Sequence, residues 1–151
     1  MTIFLAFVFY LLAFSSQAQP YFEGNYPASQ PLAEYFNAEE GNRNKSLIYI
    51  FYSNEGVCDK CAQTVELTEQ IFNQFYNGTY NMFVLNYIED NEYDFAAAYQ
   101  LHEPLAIVLV KISDGEQIGY EKIPNPQNML IIGYDYTDFL TRKINNFLGG
   151  D

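Results

Sequence analysis

The chain holds two cysteines, Cys58 and Cys61, in the stretch "NEGVCDKCAQTVEL". Two thiols at this spacing can exchange with a disulfide on another molecule, supply half of a metal site, or sit inert in a core. A purely structural bridge is badly placed here. Closing so short a loop removes little chain entropy, about 2 kcal/mol against over 4 for a loop of a hundred residues. A zinc site needs four ligands, and the thiolates supply only two. His102, the sole histidine, could be a third, with Glu103 or Asp59 a fourth. The readings left open are a redox dithiol, a carrier of a soft metal or metalloid, and a domain used only for protein contact.

The elements around the pair favour the first. "SLIYIFYS", residues 46–53, is an unbroken apolar, aromatic and β-branched run, the pattern of a strand buried on both faces. From Asp59 to Phe75 the pattern turns helical, with Cys61, Val65, Thr68 and Phe72 along one stripe, widened by Leu67, Ile71 and Phe75. This puts Cys58 at the helix N-terminus, where the helix dipole stabilises a thiolate, and Cys61 one turn in on the buried side. An accessible attacking thiol with a shielded resolving partner is what thiol–disulfide exchange requires.

Further along, "YNMFVLNYI", 80–88, reads as a second strand. "EDNEYDFAAAYQL" reads as a short helix capped by Asp90 or Asn91. "PLAIVLVKI", 104–112, is a third strand, turned by Asp114-Gly115 into a hairpin with "EQIGYEKI". "MLII" could add a short strand, and Asp135 or Thr137 caps a last helix with Leu140, Ile144, Phe147 and Leu148 inward. An earlier short helix is expected from Ser29 to Gly41. Strands joined through helices are expected to run parallel with right-handed crossovers, and the hairpin adds an antiparallel strand. The fold class is α/β, a mixed four-stranded sheet flanked by helices on both faces.

Residues 3–14, "IFLAFVFYLLAF", are an apolar run too short to span a bilayer, which takes about 20 residues. Ser16 and Ala18 are small residues at the third and first places before a cut. The division expected is a signal peptide over 1–18, a Pro- and Gly-rich linker over 19–31, and one domain over 32–151. Export to a bacterial periplasm, or secretion, follows; a eukaryotic secretory lumen fits equally well. No membrane association is expected beyond the signal segment. Seven Lys and Arg against 19 Asp and Glu, with no basic stripe, exclude a nucleic-acid binder. Apolar residues at 49% are enough for a core, and the 14 Tyr and 13 Phe are read as core and strand packing.

Two segments together resemble the thioredoxin-like family: "IYIFYSNEGVCDKC" at the strand–helix junction and "LHEPLAIVLVKISDGEQIG" downstream. The resemblance runs from about Ser46 to Leu148. It implies a thioredoxin-like fold and catalytic roles for Cys58, Cys61 and Pro104. Pro104 would be cis and lie against the disulfide, the backbone before it holding a partner chain by strand-like hydrogen bonds. Lys60, His102 and Glu103 would support the pair, with His102 as a proton relay.

The chain also departs from that family. Val57 stands where a Trp is usual, Asp59-Lys60 replaces Gly-Pro between the cysteines, and no buried acid precedes the motif. The chain looks more like small exported CxxC thioredoxin-like proteins of bacteria, among them accessory proteins of nitroreductase and arsenic clusters. No cofactor and no resident metal are expected. The partners would be a protein thiol or disulfide and a redox donor, acting on a monomer. Asp59 opposes a thiolate at Cys58, and no histidine lies between the cysteines. The expected potential is therefore nearer thioredoxin, about −270 mV, than a strong oxidant, about −120 mV.

Overall fold

The computed structural model describes residues 42–89 and 94–149. The expected signal peptide, the linker, the helix from Ser29 to Gly41 and the caps Asp90 and Asn91 lie outside the described residues.

Four strands, β1 (Leu47–Tyr52), β2 (Asn81–Asn86), β3 (Leu105–Ser113) and β4 (Glu116–Pro124), form one sheet in the order β2-β1-β3-β4. Among the described residues four helices accompany them: α1 (Cys61–Phe75), α2 (Phe95–Ala98), α3 (Gln127–Ile131) and α4 (Tyr136–Leu148). The sheet is mixed, as expected. β1 and β2 are parallel, with Leu47 opposite Asn81, while β3 is antiparallel to both β1 and β4.

The direction of β3 corrects the sequence reading, which made every helix-linked strand parallel. A parallel return must carry the chain back along a strand of six residues, about 20 Å. The four residues of α2 rise only about 6 Å. The chain re-enters the sheet at the end where it left, with Leu105 opposite Tyr52. α2 is capped by Asp94, whose carboxylate accepts the Ala97 N–H at 3.0 Å.

β1 is buried on both faces, as its composition requires: Leu47 to Phe51 are 0–2% exposed. Period-two alternation divides the core. Leu47, Tyr49 and Phe51 join Ala106, Val108 and Val110 under Phe95 and Tyr99. Ile48, Ile107 and Leu109 join Ile71, Phe72, Leu140 and Ile144 on the other face. α1 and α4 are tied by the 2.7 Å hydrogen bond between the Thr68 and Tyr136 hydroxyls. "MLII" belongs to a helical turn rather than a strand, because Pro126, at φ −60°, starts α3 in the right-handed helical region. Asp135 caps α4 by accepting the Asp138 N–H.

α1 begins at Cys61 rather than Asp59. Its buried residues are Thr64, Thr68, Ile71 and Phe72, so its inward stripe is rotated away from Cys61, and Phe75 is exposed. No helix among the described residues is long and apolar enough to cross a membrane.

Candidate functional site

Cys58 and Cys61 are joined by a disulfide, their Cα atoms 5.6 Å apart. The turn that carries them starts where β1 stops. Ser53 donates its N–H to the Pro104 carbonyl at 3.0 Å, the last bond before the chain leaves the sheet. The Ser53 hydroxyl then accepts the Glu55 N–H, and the Asn54 amide donates to Glu89 at 2.8 Å. Gly56, at φ 87°, bends the chain outward and leaves Val57 fully exposed. Lys60, at φ 69°, turns it back. A left-handed backbone costs a lysine about 1–2 kcal/mol. The Lys60 carbonyl is nonetheless anchored, accepting both the N–H and the hydroxyl of Thr64 at 2.9 and 2.8 Å.

Cys61 is the first residue of α1, and Cys58 lies in the turn before it. The expected contrast of one exposed and one shielded sulfur is softened, since both cysteines are partly buried. The pair opens into a groove of about 620 Å³. Cys61, Ala62, Val65, Glu66 and Glu69 of α1 form one wall; Tyr52 and Val84 contribute from the strands and Pro104 from the residue before β3.

Pro104 thus stands beside the dithiol, as the resemblance implied. Its peptide bond is not cis: every described peptide bond is trans. With a trans bond Pro104 runs straight into β3, its carbonyl taken by Ser53 and Leu105 in register with Tyr52. The backbone before it already has one partner within the chain. The Glu103 carbonyl accepts the Tyr87 hydroxyl at 2.9 Å.

His102 and Glu103 do not line the groove. His102 is 78% exposed, with Nδ1 2.9 Å from the Gln100 carbonyl and Nε2 3.5 Å from Glu103. Glu103 is buried. Its carboxylate accepts the His102 N–H at 3.1 Å and pairs with the Lys122 ammonium at 3.0 Å. Burial works to raise its pKa, but the His102 amide, Lys122 and its own amide outweigh that and hold it below the ordinary 4.5. Burial, then the charges of Glu103 and Glu55, push the Tyr87 pKa up, so its hydroxyl stays a donor.

Sequence reasoning placed Cys58, Cys61 and Pro104 together but missed the partners behind them. Tyr87 and Lys122 are 16 and 19 residues from Glu103 in the chain, and nothing in their spacing signals the contact. Glu66 and Glu69 were legible: with Cys61, Ala62 and Val65 they follow the i, i+1, i+4, i+5, i+8 spacing of one helix face. Among the described residues no group of three or more His, Cys, Asp or Glu side chains is placed to hold a metal ion.

A four-stranded mixed sheet with helices on both faces and a CxxC disulfide at the end of its central β1 is a thioredoxin-like arrangement. Among solved structures, the chain is similar to the thioredoxin of Fasciola hepatica at 17% identity, over 74% of this chain and 89% of that one, with a TM-score of 0.46. It is also similar to reduced Schistosoma mansoni thioredoxin pre-protein, at 15% identity over 76% and 90% of the two chains, with a TM-score of 0.45. A chloroplastic thioredoxin z is similar at 19% identity, 70% and 88% coverage and a TM-score of 0.43. No family model and no curated protein match the chain.

Proposed function

We propose that the protein is an exported thiol–disulfide oxidoreductase, working as a reductant or electron relay through Cys58 and Cys61. The observation that carries this reading is the disulfide's position, at the end of a buried strand, opening into a groove beside Pro104. A staple would gain little at this spacing, and an inert pair would not face a groove.

In the reduced protein the Cys58 thiolate attacks one sulfur of a partner disulfide. The partner S–S bond breaks, a mixed disulfide forms, and the partner's other sulfur leaves as a thiolate that takes a proton. The Cys61 thiolate then attacks the Cys58 sulfur. The mixed disulfide breaks, the second partner thiol departs, and the Cys58–Cys61 bond forms. Two electrons have passed to the partner, and an external dithiol restores the pair. Cys58 is assigned the attack because it lies outside the helix, next to fully exposed Val57, while Cys61 is held by α1. Pro104 forms a wall without a backbone donor beside the sulfurs, Lys60 supplies the only positive charge between the cysteines, and Glu103 with His102 stiffens the loop behind Pro104.

The direction rests on electrostatics. A strong oxidant is one whose reduced form is stabilised. Here Asp59 adjoins Cys58 in the sequence and Glu66 and Glu69 line the groove into which the pair opens, and none of the three favours a thiolate. Export rests on the apolar run at 3–14 with Ser16 and Ala18.

The test is equilibration with glutathione buffers, quenched by alkylation and counted by mass. A midpoint near about −270 mV is expected, and one above about −150 mV would make the protein an oxidase. Failure to exchange with either glutathione or dithiothreitol would remove the redox reading altogether.

A further inference from the structure

The groove beside the disulfide has a composition the reaction itself does not require. Its apolar lining is Ala62, Val65, Val84 and Pro104, and its only charged side chains are Glu66 and Glu69. No Lys, Arg or His lines it. Among the described residues neither carboxylate is paired with a cation; Glu66 accepts only a neutral amide hydrogen bond, from Gln70 at 3.3 Å. The backbone beside the disulfide is already partly engaged within the chain, the Glu103 carbonyl by Tyr87 and the Pro104 carbonyl by Ser53, which leaves the groove's side chains as the source of selectivity.

We propose that this groove receives an extended basic polypeptide segment, and that Glu66 and Glu69 select partner cysteines lying two to four residues from a lysine or arginine. The proposal rests on the redox reading above and names its substrate class. The spacing follows from helix geometry. Counted along α1 from Cys61, whose Cα lies 5.6 Å from that of the attacking Cys58, Glu66 and Glu69 rise about 7.5 and 12 Å at 1.5 Å per residue. An extended chain covers those distances in about two and four residues at 3.3 Å each. A cation there meets a carboxylate, and apolar stems of Lys or Arg can lie on Val65 and Val84. An acidic segment meets two like charges, in a chain whose formal net charge is −12.

The experiment uses three peptide homodimers, each linked by a cysteine disulfide, with Lys, Ser or Glu at the second and fourth positions from the cysteine. Oxidation of the reduced protein by each is followed by acid quench and mass at low and high salt. The Lys peptide should react about tenfold faster than the Glu peptide at low salt, with the Ser peptide between, and the ratio should shrink at high salt. E66Q/E69Q should bring that ratio below about twofold. E116Q removes a negative charge from the far hairpin and should leave the ratio as it is. A parent ratio below about twofold would overturn the proposal, as would a ratio that survives E66Q/E69Q or falls equally in E116Q. If neither the Ser peptide nor glutathione disulfide oxidises the protein, the redox reading fails and takes this proposal with it. If all three peptides react alike, only the selectivity fails.

Discussion

Two loops meet at the end of β1, joined by the hydrogen bond from Ser53 to Pro104, and they are built in opposite ways. The dithiol turn bends through two positive-φ residues, Gly56 and Lys60, presents Val57 wholly to solvent, and enters α1 without a side-chain cap. The loop that ends at Pro104 is closely bonded. Glu103 is buried with three donors on its carboxylate and a fourth, Tyr87, on its carbonyl. The disulfide thus rides on the loosely determined side and is backed by the rigid one. Exchange needs a sulfur that can be approached and can change partners, and that demands a fixed wall against which to do so.

The sharpest way to break this division is at the sulfurs. Cys58→Ser should bring exchange with glutathione disulfide or insulin down to background, with little change in fold. Cys61→Ser should still attack and should accumulate mixed disulfides on non-reducing gels. Trapping by Cys58→Ser instead would invert the assignment of the two thiols.

The rigid side is tested at Glu103. Glu103→Ala leaves Lys122 without its carboxylate and two amides without an acceptor, and should cost about 2–3 kcal/mol in urea denaturation. A cost under about 0.5 kcal/mol would place the loop with ordinary surface substitutions and end the contrast. The same group has a pH signature. Its pKa in the folded protein is depressed, so the native state favours the ionised form. The stabilisation is complete above the ordinary value of 4.5 and is lost as pH falls from there through the folded pKa. Stability should therefore drop on acidification below that value, and Glu103→Gln should flatten this part of the curve.

Tyr87→Phe is milder. It frees the Glu103 carbonyl from its hydroxyl and should cost about 1 kcal/mol by thermal or urea unfolding. An unchanged midpoint would mean that the bond is replaced by solvent and does not stiffen the loop. The smallest change is expected on the loose side. Glycine adopts the left-handed conformation freely but loses more entropy on folding, so Lys60→Gly should stabilise the oxidised protein by about 0.5–1 kcal/mol. Lys60→Pro should do the reverse, because proline fixes φ near −65° where the turn requires 69°. Stabilisation by proline would show that the turn relaxes to another conformation.

Much of this molecule was legible in its sequence. The run from Leu47 to Phe51 admits few fates other than a strand buried on both faces, because it offers no polar side to water. The helical period after it places the cysteines at a strand–helix junction, and Asp114-Gly115 announces the hairpin through local turn chemistry. These features depend on neighbours within a few residues, where periodicity and backbone preference act. What lay beyond that range was decided by tertiary structure. That β3 runs antiparallel to β1 is visible only in the sheet itself. The register of Leu105 with Tyr52 gave Pro104 its trans path into the sheet, and Tyr87 and Lys122 converged on Glu103 from elements distant in sequence. A strand's partner and a buried carboxylate's donors are chosen by which packing leaves the fewest polar groups unpaired across the whole core, and no local window of the chain contains that comparison.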